Sequence, residues 1–369
     1  MFREIFNSYN WQDVSKNVFS KTARDVENAL AKKRISIEDF AALISPAAAP
    51  FLEEMAVKSR QLTQQRFGKT IQLFAPLYLS NECHNICTYC GFSFGNKIKR
   101  KTLSKAEIIR EAEILKAKGF DHVLLVTGEA NATVHLPYFL EAVSLLKNYF
   151  STISIEVQPL EEEEYKQLHE AGVYAVLVYQ ETYYKEKYAF YHPKGKKSNF
   201  YYRLDTPDRL GKSGMHKIGL GVLLGLEDWR VESFFCVLHL HYLQNRYWQS
   251  KYSVSFPRIR PAEGVNIKNV HITDKELLQL ICAYRLFNPD LELSVSTRET
   301  PKFRDHIIQL GATSMSAGSK TNPGGYAEGD SSLEQFEIDD DRSPEEFVKI
   351  ISQQGYEPVF KDWDKAFTV

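Results

Sequence analysis

The sequence predicts an α/β fold, a (β/α)8 barrel of the TIM type. Eight short apolar or β-branched runs recur from residue 71 onward, amphipathic stretches with helical spacing separate most of them, and polar residues close the runs on their C-terminal side. A doubly wound open sheet is the competing arrangement of the same alternation. In a barrel the run ends converge on one mouth, where such folds carry their sites. Glu129, Glu156, Gln180, Arg258, Arg298 and Ser316 close runs in this way.

Residues 1–66 read as a helical extension, with apolar positions at helical spacing in DVENALAKKRISIEDFAALI and a proline-interrupted segment after it. The barrel, residues 67–320, supplies strands at 71–80, 122–129, 152–159, 174–182, 216–226, 251–259, 291–299 and 312–319. Helices are expected near 103–118, 137–149, 160–171, 203–214, 228–245, 273–287 and 301–310. The clearest, 103–118, opens with Ser104 and Glu107 at capping-box spacing and carries Ile108 and Leu115 on an apolar face. Gly219, Gly221 and Gly225 interrupt the fifth strand, where a missing side chain makes room for a group that must come close, such as an adenine ring. Residues 321–369 begin in a Gly-, Ser- and acid-rich stretch of predicted mobility and end in a helix near 344–354 that closes the barrel.

A chain of 369 residues with 25% charged residues and a formal net charge of −1 carries no single-sign field, which argues against nucleic acid or a membrane surface as partner. The opening MFREIFNSYNWQDVSKNVF lacks the apolar core and cleavage site of a secretory signal, and no later run reaches membrane-spanning length. The expected setting is cytoplasmic. There a disulfide framework is disfavoured, and five cysteines could not pair completely.

Three of those five, Cys83, Cys87 and Cys90, fall within NECHNICTYC on the loop after the first strand. A structural zinc site takes four ligands, commonly as two separated pairs, and only half of that is present. His84 is adjacent to Cys83 and poorly placed, and His122 brings no second pair. A [4Fe-4S] cluster is held one thiolate per iron, so three cysteines leave one iron open.

The spacing C-x3-C-x2-C, with Tyr89 before the last cysteine and a βα unit around it, resembles the signature of the radical S-adenosylmethionine (SAM) superfamily. The resemblance implies that SAM chelates the open iron and is split by an electron from the cluster into a 5′-deoxyadenosyl radical and L-methionine. It also implies that Gly128 and Glu129, in VTGEAN, meet the SAM amino group and that Arg203, in YYRLDTPDR, pairs with the SAM carboxylate. Gln180, Glu181 and Glu156 are then candidates for the ribose hydroxyls, and Tyr89 lies beside the cofactor.

Closer likeness lies in CTYCGF, VYQETY, HPKGKKSNFYYRLDTPDR, GLGVLLGLEDWR, YWQSKYSVSFPRIRPA, LSVSTRE and MSAGSKTNPGGY. From about residue 70 to the end, these resemble the 2-iminoacetate synthase family, the tyrosine lyases of thiamin thiazole synthesis. The resemblance implies cleavage of the Cα–Cβ bond of L-tyrosine to 2-iminoacetate (dehydroglycine) and p-cresol. It also implies thiazole synthase as protein partner and a one-electron donor such as flavodoxin or ferredoxin. Arg298 matches the position expected to hold the tyrosine carboxylate, with Glu299 orienting it or meeting the ammonium group. Ser316 and Ser319 are further candidates for the polar head, and Tyr89 and Phe92 for the pocket wall. A hydrogenase-maturation relative carries extra C-terminal cysteines for a second cluster; this chain has none after Cys282. Cys236 and Cys282 sit in apolar helical patterns and read as core thiols. The alternatives are a lyase of another aromatic amino acid such as tryptophan, an iron-sulfur carrier or scaffold, and a zinc-stabilised binding module.

Overall fold

Eight parallel strands close on themselves: β1 Thr70–Ser80, β2 His122–Thr127, β3 Thr152–Glu156, β4 Val173–Leu177, β5 Lys217–Gly221, β6 Lys251–Ser255, β7 Glu292–Val295 and β8 Ser314–Ser316. Each pairs with the next, and β1 pairs with both β2 and β8, which excludes the open sheet. The structure is a computed structural model and describes residues 1–265, 267–268, 270–329 and 334–361. All eight expected strands are present; β1 ends with its run at Ser80, and the other seven end a few residues before theirs, because the last residues of those runs belong to the loops of the mouth.

The helices between strands follow the predicted ranges, among them Lys105–Ala117, Trp229–Arg246 and Asp274–Phe287. At the first, Ser104 and Glu107 form the predicted reciprocal cap. Bonds from the Ser104 backbone and hydroxyl hold the Glu107 carboxyl down, to about 2. The expected helix over 203–214 is displaced and broken: Phe200–Leu204 and Thr206–Lys212 meet at Asp205, with Pro207 in the first turn of the second.

The extension folds as five helices and a 3-10 turn packed on the outside of the barrel. Phe2 stacks on His239 at 3.8 Å, Trp11 stacks on Tyr184 at 4.3 Å, and Gln279 donates to the Leu43 and Ser45 carbonyls at 2.8 and 2.9 Å. One hydrophobic core runs from Phe2 through the barrel helices to Ile351. The tail was expected as loop and helix only. It also contributes β9, Glu357–Val359, parallel to the start of β1. Gln72 faces both Ser314 and Val359, so β9 fills the β1 edge below the point where β2 begins. Residues 330–333 and 362–369, within the tail expected to be mobile, lie outside the described residues. Among the described residues no single helix is long and apolar enough to cross a membrane.

Most barrels of this kind fill their interior with branched aliphatic side chains. Here Ser154, Ser253, Ser294, Ser314 and His122 line a space in the lower barrel with the Lys217–Glu292 ion pair. The strand-five glycines serve this interior differently from the expectation. A Cβ at Gly219 would meet Leu177 at 2.5 Å, and one at Gly221 would meet Tyr179 at 2.9 Å, so the vacated space is taken by two side chains of the β4 segment. Neither glycine lines the cavities at the mouth.

Candidate active site

The cysteine loop leaves β1 and is pinned to its neighbours mostly by backbone. His84 donates its amide to the Glu129 carbonyl at 2.9 Å, Ile86 to Lys194 at 3.0 Å and Thr88 to Tyr191 at 3.1 Å. Arg100 spans the loop from below, giving bonds of 2.7 to 2.8 Å to the carbonyls of Asn81, Phe92 and Ser93. Asn85, between the first two cysteines, donates to Glu129 at 2.8 Å and accepts the Lys197 amide at 3.0 Å. A side chain at Gly128 would collide with the Glu82 carbonyl, so β2 ends against the cysteine loop at backbone contact. Gly128→Ala is therefore expected to lower the iron retained after anaerobic reconstitution several-fold, measured as iron and sulfide per chain.

Cys83, Cys87 and Cys90 line one side of a cavity whose other walls are Gly128, Glu129, Glu181, Lys197 and Arg203. Burial pushes the three thiols up, Cys83 to about 11, so each keeps its proton in the empty site and releases it when a metal binds. Among the described residues no three Cys, His, Asp or Glu side chains converge where a single ion could sit. That argues against a tetrahedral zinc site. Thiolates that each take a different iron of a cubane need not converge, and three sulfurs on one wall with no fourth among the lining residues fit such a cluster with one open corner.

The opposite wall is an interlocked set of charges. Arg203 reaches Glu129 at 2.8 Å and Glu181 at 3.5 Å, and its Nε donates to the Tyr179 carbonyl at 2.5 Å. Lys197 pairs with Glu181 at 2.7 Å. Burial alone would raise the Glu129 carboxyl, but Arg203 and Lys197 outweigh it and hold the group low. Among the described residues Glu181 is the one non-glycine with positive φ, 68°. A residue other than glycine in that region costs about 1–3 kcal/mol and persists where the surroundings fix it. Here the Leu223 amide holds the Glu181 carbonyl at 2.9 Å while two cations take the carboxylate. Tyr89 stands behind this wall. Its hydroxyl meets His192 Nε2 at 2.7 Å; His192 Nδ1 lies 3.0 Å from the Tyr188 carbonyl, and burial keeps the ring neutral, so Nδ1 donates and Nε2 accepts.

A second cavity opens beside the first, and the two share Val126, Glu156, Leu177, Tyr179 and Gln335. Arg298 lines it, its guanidinium lying 3.3 Å from the centroid of the Phe336 ring. Ser316 and Ser319 are also on its wall. Ser316 accepts the Thr297 amide at 3.1 Å, and the Ser319 hydroxyl has no partner among the described residues. Gln335 joins the chambers, accepting from Tyr78 at 2.8 Å and donating to Cys90 Sγ at 3.6 Å.

Of the residues expected at the site, the three cysteines, Gly128, Glu129, Glu156, Glu181, Arg203, Arg298, Ser316 and Ser319 line these two cavities, as does Phe92. Two others do not. Glu299 is turned to an ion pair with Arg258, itself 2.9 Å from Asp274, and its carboxylate is 2% exposed; strand-end position alone could not show which way it faces. Gln180 is buried off both cavities, because the turn at Glu181 sends adjacent side chains to opposite sides. Lys197, Asn85, Arg100, Tyr179, Gln335 and Phe336 were not singled out from sequence. Lys197 is one of three lysines in HPKGKK, and nothing in the acid-rich tail marks Gln335 and Phe336 as site residues. Two wider hollows, about 690 and 440 Å³, lie near Trp248 toward the strands' N-terminal ends, away from all three cysteines.

Known proteins resemble this chain over nearly its whole length. Residues 77–235 match the radical SAM superfamily, and residues 255–357 match the biotin and thiamin synthesis associated domain. The chain is 51% identical to the 2-iminoacetate synthase of Escherichia coli (strain K12), over 98% of this chain and 97% of that one. The FeFe-hydrogenase maturase HydG from Carboxydothermus hydrogenoformans superposes with a TM-score of 0.85 at 30% identity, covering 98% of this chain and 83% of that one. Methylornithine synthase (PylB) shares the fold, with a TM-score of 0.75 at 21% identity, over 94% of this chain and 100% of that one.

Proposed function

Because the chain belongs to the 2-iminoacetate synthases of the radical SAM superfamily, we propose that it cleaves the Cα–Cβ bond of L-tyrosine to 2-iminoacetate and p-cresol. The observation that carries this function is the junction of two chambers, one walled by three thiols and the other by Arg298. When bound, the [4Fe-4S] cluster and SAM supply the electron and the 5′-deoxyadenosyl radical, with 5′-deoxyadenosine and L-methionine as the products of SAM.

Cys83, Cys87 and Cys90 would hold the cluster. Gly128 and Glu129 would receive the SAM amino group and Arg203 its carboxylate; Glu181 and Lys197 fix Arg203 and Glu129 in place before either ligand arrives. Such a wall needs little rearrangement on binding. Arg298 would take the tyrosine carboxylate with two parallel donors. Phe336 under its guanidinium limits the directions in which it can point. Tyr78, Leu124, Leu177, Tyr179 and Phe256 enclose the ring and keep water from a reactive intermediate.

2-Iminoacetate is unstable in water, which supports direct hand-over to a consuming partner, thiazole synthase; the setting of both would be cytoplasmic. The electron would come from flavodoxin or ferredoxin. Anaerobic incubation of the reconstituted protein with SAM, dithionite and L-tyrosine tests the reaction. Chromatography should show p-cresol and 5′-deoxyadenosine together. SAM cleavage accompanied by the fragment of another aromatic amino acid, and no p-cresol from tyrosine, would refute the substrate.

A further inference from the structure

We propose that Glu156 receives the ammonium group of the substrate, so that Arg298 and Glu156 together clamp the zwitterionic head of an α-amino acid. This rests on the amino-acid substrate proposed above. Glu156 is the last residue of β3 and faces Val126 of β2 in register. Ile153 and Ile155 pack in the outer core, which places Glu156 on the interior side with Ser154. It lines both chambers, at the point where a cofactor in one meets a substrate in the other.

Its distinguishing property is that no cation lies within ion-pair distance of it among the described residues. Glu129 is held by Arg203 and Asn85, Glu181 by Lys197, and Glu299 by Arg258. Among the described residues Glu156 has no hydrogen-bond or ion-pair partner. Arg298 is in the same position with the opposite sign: it has no carboxylate within ion-pair distance among the described residues, and its one polar side-chain contact is a 3.5 Å approach to the Arg258 carbonyl. Half-buried charges without a contact partner are costly, and two of opposite sign that line one cavity without touching leave a gap. A carboxylate at Arg298 and an ammonium at Glu156 fill it. Ribose hydroxyls, the alternative ligand for Glu156, would leave Arg298 and Glu156 unrelated.

The electrostatics agree in direction. Burial, then Glu181, raises the Glu156 carboxyl to about 7, against Arg298, Lys197 and Arg203, with Tyr78 and Tyr179 close by. An ammonium binds the ionised form, so in the protein before SAM is added, tyrosine affinity should fall as pH drops below about 7.

The test is calorimetric titration of the anaerobically reconstituted protein with L-tyrosine and with 3-(4-hydroxyphenyl)propanoate, which keeps the ring and carboxylate but lacks the ammonium. Glu156→Gln should weaken tyrosine by about tenfold to a hundredfold and leave the propanoate and SAM affinities unchanged. Tyrosine bound as in wild type, both acids weakened alike, or SAM weakened in place of tyrosine would each overturn the clamp. Should the glutamine variant fail to retain its cluster, Glu156→Asp gives the same comparison, with tyrosine alone weakened. If wild-type protein makes no p-cresol but binds another aromatic amino acid with the same loss in Glu156→Gln, the substrate is wrong and the clamp stands.

Discussion

Cys87→Ala reduces SAM cleavage and p-cresol formation to background while the barrel remains folded. Each thiolate holds one iron, so losing one of three leaves a cluster with two anchors and a second open corner. The fold should survive because the loop depends little on this side chain. Arg100 fastens it through three carbonyls, Ser93 takes the Cys87 amide at 3.1 Å, and the Ile86 and Thr88 amides are bonded on either side. Iron content, visible absorbance and circular dichroism separate the two effects. Wild-type SAM cleavage in this variant would mean that Cys87 holds no iron.

Arg298→Ala lowers kcat/KM for tyrosine by about a hundredfold to a thousandfold and leaves iron content and SAM affinity intact. The size follows from burial: the guanidinium is drawn down by desolvation, and a carboxylate brought to it meets an otherwise unpaired cation. Arg298→Lys should recover little, since an ammonium offers neither the planar stack on Phe336 nor two parallel donors. Glu299→Gln is the contrasting variant. Its partner is Arg258, so its effect should fall on stability more than on tyrosine affinity. Equal tyrosine affinity in wild type and Arg298→Ala would remove Arg298 from the site.

The strand pattern was legible because most barrel strands begin short apolar runs that polar residues close, and the three cysteines because their spacing leaves few other uses. Side-chain direction was not legible. Glu156 and Glu299 both stand at or just past strand ends, yet one opens onto two cavities and the other turns to Arg258. Adjacent Gln180 and Glu181 part company at a single backbone angle. The tail hid its contribution for another reason: Gln335 acts through contacts with Tyr78 and Cys90, 257 and 245 residues away in the chain, and Phe336 through Arg298 on a different barrel loop. No local periodicity reports such contacts. The glycines of β5 show the converse, a visible signal whose cause, the Leu177 and Tyr179 side chains, lay on the neighbouring β4 segment.

The most direct measurement of the three-thiolate site is the electron paramagnetic resonance spectrum of the anaerobically reduced protein, recorded without SAM and with SAM labelled with 15N at its amino group. A single [4Fe-4S] signal that shifts on SAM addition and acquires coupling to the labelled nitrogen is the predicted result. A reduced cluster whose spectrum ignores SAM, or protein carrying stoichiometric zinc and no cluster signal, would contradict it.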